Sequence, residues 1–300
     1  MKNNAIATGR SAFGKPRLVI LGCGDVGMRL LPLLRDRFRV FAVTSQRARC
    51  EELREAGAVP VVANLDKPVT LKKLDGLSTL FVHLAPPPSE GEQDNRTRNL
   101  TAILPERSTL VYVSTTGVYG NGGEKPFDET RPVNPQNARA KRRVDAEKVL
   151  RAWANRSKST LAILRVPGIY AENRLPIERL QKGTPAIVAE QDSYTNHIHA
   201  DDLARLVRAA LFRGLPNRVY HAVDDSDMKM GDYFDTVADA FSLPHPPRLP
   251  REEVPEVVSP VLWSFMSESR RLLNRRMKEE LRVRLDYPTV GEALGRMRKG

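Results

Sequence analysis

The chain has 300 residues, 41% of them apolar, 28% charged and 6% aromatic, which suits a soluble globular protein with a sizeable core and excludes a disordered or fibrous chain. Two cysteines leave no room for a disulfide framework or a cysteine-based metal cluster and point to a reducing, cytoplasmic setting. The net charge of +12 favours anionic partners.

No apolar run reaches the roughly 20 residues of a membrane-spanning helix, so no membrane partner is expected. The basic opening stretch lacks the apolar centre of a secretory signal. Residues 1–16 read as a loosely ordered lead-in. After them, strand-like apolar runs alternate with helical patterns: Arg17 to Gly22, Val40 to Thr44, Val59 to Ala63, Thr79 to Ala85, Thr109 to Ser114 and Thr160 to Val166. That alternation predicts an α/β fold, a Rossmann-type doubly wound parallel sheet covered by helices on both faces, over residues 17–168. The first helix is expected from Asp25 to about Arg37, with Pro32 as its one internal blemish.

Beyond Gly168 the elements shorten and prolines accumulate, which predicts a smaller α+β substrate lobe over residues 169–300, some of whose segments return to the main body. In it, Asp201 and Asp202 read as the N-cap of an amphipathic helix, and Leu273, Met277 and Leu281 share one face of a helix expected from about Ser267 to Val283. The basic clusters at 139–156 and 270–284 also carry acids and spaced apolar residues. They read as solvated helix faces rather than a nucleic-acid footprint.

The first strand runs into the first helix through Gly22, Gly24 and Gly27, a G-x-G-x-x-G turn. The first glycine permits the tight turn, the second admits a pyrophosphate to the backbone, and the third lets helix and strand pack closely. The pyrophosphate would lie at the helix N-terminus, against the amides of Asp25 and Val26. NAD-binding versions place an acid at the end of the second strand, but here the chain reads Thr44-Ser45-Gln46-Arg47. Ser45 and Arg47, with Arg49 in reserve, suit a 2′-phosphate, so the residues favour NADP over NAD. Cys23, inside the loop, reads as a small filler.

With these landmarks the chain resembles the extended short-chain dehydrogenase/reductase superfamily, in particular its NAD-dependent epimerase/dehydratase group and atypical members. The resemblance runs from Arg17 to Leu294 and rests on an ordered series: the glycine loop, Asn64-Leu65, His83-Leu84-Ala85, Ser114 to Gly120, Pro167 to Tyr170, and His197 to Ala204. It implies that Asn64 and Leu65 flank an adenine, that Ala85 borders the cofactor, that Pro167 and Gly168 pass its nicotinamide amide, and that Thr115 takes the family's catalytic Ser/Thr position. It also implies a small hydroxyl or carbonyl substrate, such as a nucleotide sugar, and a homodimer. His83 and His199 read as packed or hydrogen-bonded residues.

One departure limits the analogy. The family's Tyr-x-x-x-Lys dyad falls on Arg139 and Arg143, and no tyrosine lies between Tyr119 and Tyr170. A guanidinium with a pKa above about 12 does not exchange a proton near neutrality. Tyr119 or Tyr170 is then expected to stand in as the acid, beside Thr115. Arg143 can hold ribose hydroxyls and Arg139 an anionic substrate or a phosphate, or both are surface charges. Two functions stay open, an epimerase/dehydratase-like oxidoreductase and a non-catalytic NADP-binding sensor.

Overall fold

The computed structural model describes residues 14–298, so positions 1–13 of the expected lead-in lie outside the described residues. In chain order the first part comprises β1 (Arg17–Leu21), α1 (Asp25–Leu34), β2 (Arg39–Thr44), α2 (Cys50–Glu55), β3 (Val59–Val62), α3 (Pro68–Leu71), β4 (Leu80–His83), α4 (Asn95–Thr101), β5 (Thr109–Thr115), α5 (Ala138–Arg156) and β6 (Thr160–Val166). There follow β7 (Gly168–Tyr170), α6 (Ile177–Gln181), β8 (Ala186–Ile187), β9 (Tyr194–Thr195), β10 (His197–His199), α7 (Ala200–Arg213), β11 (Arg218–His221), β12 (Met228–Lys229) and α8 (Met230–Phe241). The chain finishes with β13 (Arg248–Leu249), α9 (Val254–Val257), α10 (Pro260–Met266), α11 (Arg275–Glu280) and α12 (Val290–Met297).

Seven strands form one sheet in the order β11-β6-β5-β4-β1-β2-β3, every neighbouring pair parallel. A parallel sheet is covered on both faces, which is why its strands are nearly continuous apolar runs. In β1, Leu18 and Ile20 pack with Leu30 and Leu31 of α1 and Leu203 and Leu206 of α7. Val19 and Leu21, pointing the other way, join Leu100 of α4 and Leu150 and Trp153 of α5. Because β1 lies beside β4, the order reverses between them and opens a crevice at their carboxyl ends.

The boundary at Gly168 is crossed by the chain. β11 adds an edge strand to the main sheet and α7 packs on α1. The rest of the later chain builds a lobe with its own core, including Tyr170, Leu180, Phe234, Val237 and Leu294.

Three expectations are corrected. α1 stops at Leu34, two residues after Pro32, which lacks the N–H that would bond Met28 O and whose ring faces solvent. The N-cap of α7 is His199, whose Nδ1 accepts the Asp201 amide at 3.2 Å; Asp202 is fully buried and accepts the Asp286 and Tyr287 amides at 2.9 and 2.8 Å. The helix expected over Ser267 to Val283 is instead an extended segment, 267–274, followed by the short α11. Its main chain has partners that a helix would forfeit: Ser269 O and Arg271 O accept from the Gly122 and Phe127 amides at 2.7 and 3.0 Å, and Leu273 N donates to Phe127 O at 3.0 Å. Leu272 is buried and Leu273 exposed, the alternation of a strand.

A buried polar chain ties these layers together. Glu147 of α5 accepts the Ser114 hydroxyl at 2.7 Å and two bonds from Arg165 of β6, at 3.1 and 2.7 Å. Arg165 also donates to the Tyr119 hydroxyl at 2.6 Å, and that oxygen lies 2.6 Å from His221 Nε2 on β11. His221 Nδ1 is 2.9 Å from Leu273 O, a pure acceptor, so the proton sits on Nδ1 and Nε2 accepts from Tyr119. Burial, first among the causes, lowers the His221 pKa to about 3 and keeps the ring neutral.

Both members of the ion pair are more than nine-tenths buried. Glu147→Ala leaves the Arg165 charge stranded and is expected to cost about 3–5 kcal/mol in urea unfolding. Replacing both residues by methionine should lose much less. A Glu147→Ala loss below about 1 kcal/mol would show that the sheet and α5 do not depend on the pair.

Candidate active site at the carboxyl edge of the sheet

The glycine loop occupies the crevice between β1 and β4, and its three glycines meet different constraints. Gly22 has φ +80°, and a Cβ there would lie 2.6 Å from the backbone of Ala85, so this loop and the end of β4 approach as closely as backbones can. A Cβ on Gly24 would meet nothing within 4 Å; the second glycine faces open space at the N-terminus of α1. A Cβ on Gly27 would come within 2.9 Å of Cys23 Sγ and 3.4 Å of Leu84, which makes it the packing glycine. Burial pushes the Cys23 thiol up to about 11, so it is packed filler and not a reactive thiolate.

Around the loop, Asp25 bonds Arg29 at 3.3 Å and Arg174 at 3.2 Å. Burial works to raise its pKa, but the bonds from Arg174 and Arg29 prevail and hold the carboxyl below its usual range. Val26 is half-buried beside it, packed against the core. After β2, Ser45 and Arg47 are exposed, and Arg47 lines an outer cleft with Phe41, Arg54 and Lys73. Arg49, the reserve in the sequence reading, reaches the loop itself: Nη1 donates to Cys23 O at 2.7 Å while the guanidinium grips Glu52 with two 2.9 Å bonds. Asn64 Oδ1 accepts the Asp66 amide at 2.9 Å, and the carbonyl of buried Leu65 accepts from Asn99 at 2.8 Å, so both are held in a fixed turn.

A cavity of about 280 Å³ opens where β5 and β6 end against the lobe, with Thr115, Arg139, Pro167 and Gly168 in its wall. Thr115 Oγ1 accepts the Gly117 amide at 3.2 Å, which leaves the hydroxyl hydrogen free to be donated inward. Arg143 is tied down instead, giving Nη1 to the Tyr112 hydroxyl at 2.9 Å and to Val113 O at 3.0 Å.

The structure does not bring the expected tyrosines to this cavity. Tyr119 is enclosed in the Arg165 and His221 network, and burial, only partly offset by Arg165, pushes its phenol up to about 12. Tyr170 is buried behind the wall, its pKa raised first by burial and then by Asp224. The sequence reading missed Tyr194, Tyr233, Arg179 and the Glu268 and Arg270 pair, all of which line the cavity. It had marked the stretch beginning at His197, whose ring stacks on Tyr233 at 4.0 Å; burial lowers its pKa to about 3, so it stands in the wall as a neutral imidazole. Among the described residues no cluster of side chains could hold a metal ion, and no helix is long and apolar enough to cross a membrane.

Residues 98–278 match the family model described as RmlD substrate binding domain, and residues 18–84 match a TrkA-N domain. The chain belongs to the RmlD substrate binding domain family. Its fold is the NAD(P)-binding Rossmann-type fold of the NAD-dependent epimerase/dehydratase group, as the ordered motifs implied. It is 27% identical over 129 residues to the human dTDP-D-glucose 4,6-dehydratase, a match covering 40% of this chain and 37% of that protein. The aligned part thus spans well under half the length of that relative.

Two solved structures share nearly the whole fold. A functionally unknown conserved protein from Silicibacter pomeroyi is 28% identical with a TM-score of 0.79, over 95% of this chain and 99% of that one. The dTDP-glucose 4,6-dehydratase of Streptomyces venezuelae, solved with NAD bound, is 18% identical with a TM-score of 0.75, over 94% and 96% of the two chains.

Behind the cavity wall, the Asp224 carboxyl is buried with only part of its hydrogen-bonding capacity met. Its Oδ1 accepts the Ser226 amide at 2.9 Å, whereas Oδ2 is buried without a partner, as is the Tyr170 hydroxyl. Burial dominates and raises the Asp224 pKa to about 7. An unfolded aspartate titrates near 3.9, so the native state binds the extra proton between roughly pH 4 and 7. The stability it contributes is full below pH 4 and is lost as pH rises through 7. Asp224→Asn is therefore expected to gain on the parent by a few kcal/mol between pH 4.5 and pH 8 in urea unfolding. Parallel stability curves for the two proteins would show that the carboxyl titrates normally.

Proposed function

We propose that this chain is an NADP-preferring oxidoreductase of the epimerase/dehydratase kind, acting on a small hydroxyl or carbonyl compound in the cavity beside Thr115. One observation carries the reading: the open Gly24 at the α1 N-terminus and the Thr115 cavity lie on the same carboxyl edge of one parallel sheet. From β1 to β6 there are three strand spacings, about 14 Å in all, a reach that suits a dinucleotide laid across the crevice.

In this reading the glycine loop at Gly22 and Gly24, with the amides of Asp25 and Val26, holds the pyrophosphate against the helix N-terminus. Asn64 and Leu65 flank the adenine, Ala85 borders the bound cofactor, and Pro167 meets the nicotinamide amide. The absence of an acid at the end of β2 and the position of Arg49 at the loop favour a 2′-phosphate, with Ser45 and Arg47 as outer contacts. Bound NADP supplies or accepts the hydride. Thr115 donates its free hydroxyl hydrogen to the substrate oxygen, and Arg139, standing where the family has its tyrosine, orients an anionic group without exchanging a proton. With Tyr119 and Tyr170 enclosed and the Tyr233 phenol raised by burial, as Tyr119 is, the phenol left to pass a proton is that of Tyr194 in the wall.

The reduced thiols fit a cytoplasmic enzyme: Cys23 is buried and both cysteines are free. The missing dyad favours one alternative, a binding protein whose NADP occupancy is a signal and whose cavity turns nothing over.

Fluorescence titration with NADPH and NADH tests the cofactor half. Gly24→Asp should abolish binding, and Arg49→Glu should weaken NADPH by roughly tenfold or more while leaving NADH little changed, with Arg47→Glu having the smaller effect. If neither nucleotide bound, the proposal would fall. Substrate-dependent NADPH oxidation lost in Thr115→Ala or Tyr194→Phe selects the enzyme; binding without turnover across hydroxyl and carbonyl compounds selects the sensor.

A further inference from the structure

The cavity beside Thr115 contains positive charge that the protein itself does not neutralise. Three guanidinium groups line it, from Arg139 on α5, Arg179 on α6 and Arg270 in the extended 267–274 segment. Arg270 is paired with Glu268, both largely buried, and also donates to Gly120 O at 3.0 Å. The other two have no carboxylate within 4.0 Å among the described residues.

Arg179 lies over the Phe234 ring, 3.9 Å from its centre, and its Nη2 donates to Pro185 O at 2.9 Å and to Met266 Sδ at 3.4 Å. Its Nε is buried with no partner. Asp192 is the acid whose field it feels, but the Asp192 oxygens are already engaged by the Gly231 amide at 2.6 Å and the Ser193 amide at 2.8 Å. Burial lowers the Arg179 pKa to about 10. Arg139 stands at the more open rim, over the Phe265 ring at 4.1 Å and 3.4 Å from Ser264 Oγ. A half-buried cation without a counter-ion costs stability, and such costs concentrate where a ligand will supply the missing charge.

Size and surface narrow that ligand. The rest of the lining is largely aromatic or aliphatic, from Tyr233, Leu262 and Met230 among others. About 280 Å³ lies at the bottom of the range of roughly 300–1,000 Å³ that holds drug-sized ligands, too little to enclose a whole nucleotide sugar.

We infer that the cavity takes a small substrate with one anionic group, a carboxylate or a phosphate, on a planar apolar body, the anion held at the unpaired Arg179 and the reacting oxygen at Thr115, with Arg139 adding positive charge at the rim. This rests on the reading of the cavity as the substrate site. It deepens that reading by replacing the nucleotide sugar with a compact aryl or similarly flat acid. The cofactor's own pyrophosphate does not satisfy these arginines, because its place at the glycine loop is on β1, two strands from β5.

The test is a thermal-shift titration of the full chain, with and without saturating NADPH, at constant ionic strength. Benzoate and phenyl phosphate are the anionic probes, benzamide the neutral isostere and UDP-glucose the rival. Benzoate, phenyl phosphate or both should raise Tm while benzamide does not, and whichever acts more strongly identifies the anion. In Arg179→Met, which keeps the contact with Phe234, the protein without probe should be as stable as the parent or more so, and the anion response should weaken roughly tenfold or more. Arg139→Met, at the exposed rim, should weaken it less. The inference is overturned if benzamide matches benzoate, if UDP-glucose binds while both small anions fail, or if Arg179→Met lowers Tm yet keeps the anion response. Loss of NADPH binding alone would remove the cofactor proposal, since the probes also report on the cofactor-free protein.

Discussion

The Glu147 and Arg165 ion pair is the contact on which the site's geometry depends. It joins the long helix that carries Arg139 to the strand that ends at Pro167, and through Tyr119 and His221 it reaches the edge strand and the 267–274 segment. A buried pair of this kind is tolerable only when its remaining donors and acceptors are met, and here Ser114, Tyr119, His221 and Leu273 O meet them in series. Three walls of the cavity are thereby referred to one polar spine, and a shift of any would break a hydrogen bond in a medium where a broken bond is expensive.

The same network explains why Tyr119 is a poor acid despite its place near the family's catalytic residues. Its oxygen accepts from a permanent cation and its proton is directed at a neutral imidazole, so the phenol is fully engaged in holding the fold. In the proposed function, chemistry at the cavity falls to groups that are not so engaged. Thr115 has a hydroxyl hydrogen to give, and Arg139 and Arg179 have charge without partners. If Arg139 stands where the resembled family has its tyrosine, as proposed, a proton donor has been exchanged for a fixed positive charge, which changes what the site can recognise more than it changes the fold.

The cofactor end obeys a simpler constraint. Parallel strands place all their carboxyl ends on one edge, and the reversal between β1 and β4 leaves a gap there into which the α1 N-terminus points. The close approach of Gly22 to Ala85 narrows that gap, while Gly24 keeps its mouth free of side-chain atoms. The lobe closes the other end with short strands and helices, and its extended 267–274 segment takes its conformation from the backbone groups of Gly122 and Phe127.

Local and periodic features were legible in the sequence: the alternating strands and helices, the tight glycine turn and the ordered family motifs. These are properties of neighbouring residues, whose spacing is set by the 2.0 and 3.6 residue repeats and by the steric needs of a tight turn. Tertiary structure decided what depends on partners distant in the chain. Leu273 and Met277 have helical spacing, yet backbone partners near residues 122 and 127 pulled 267–274 into an extended form. Arg49 rather than Arg47 reached the glycine loop, Tyr119 and Tyr170 turned inward, and Arg179 and Tyr233 arrived at Thr115 from helices that lie 60 or more residues further along the chain. Side-chain direction and pairing are consequences of packing, and no local pattern encodes which of two nearby arginines or tyrosines will face the cavity.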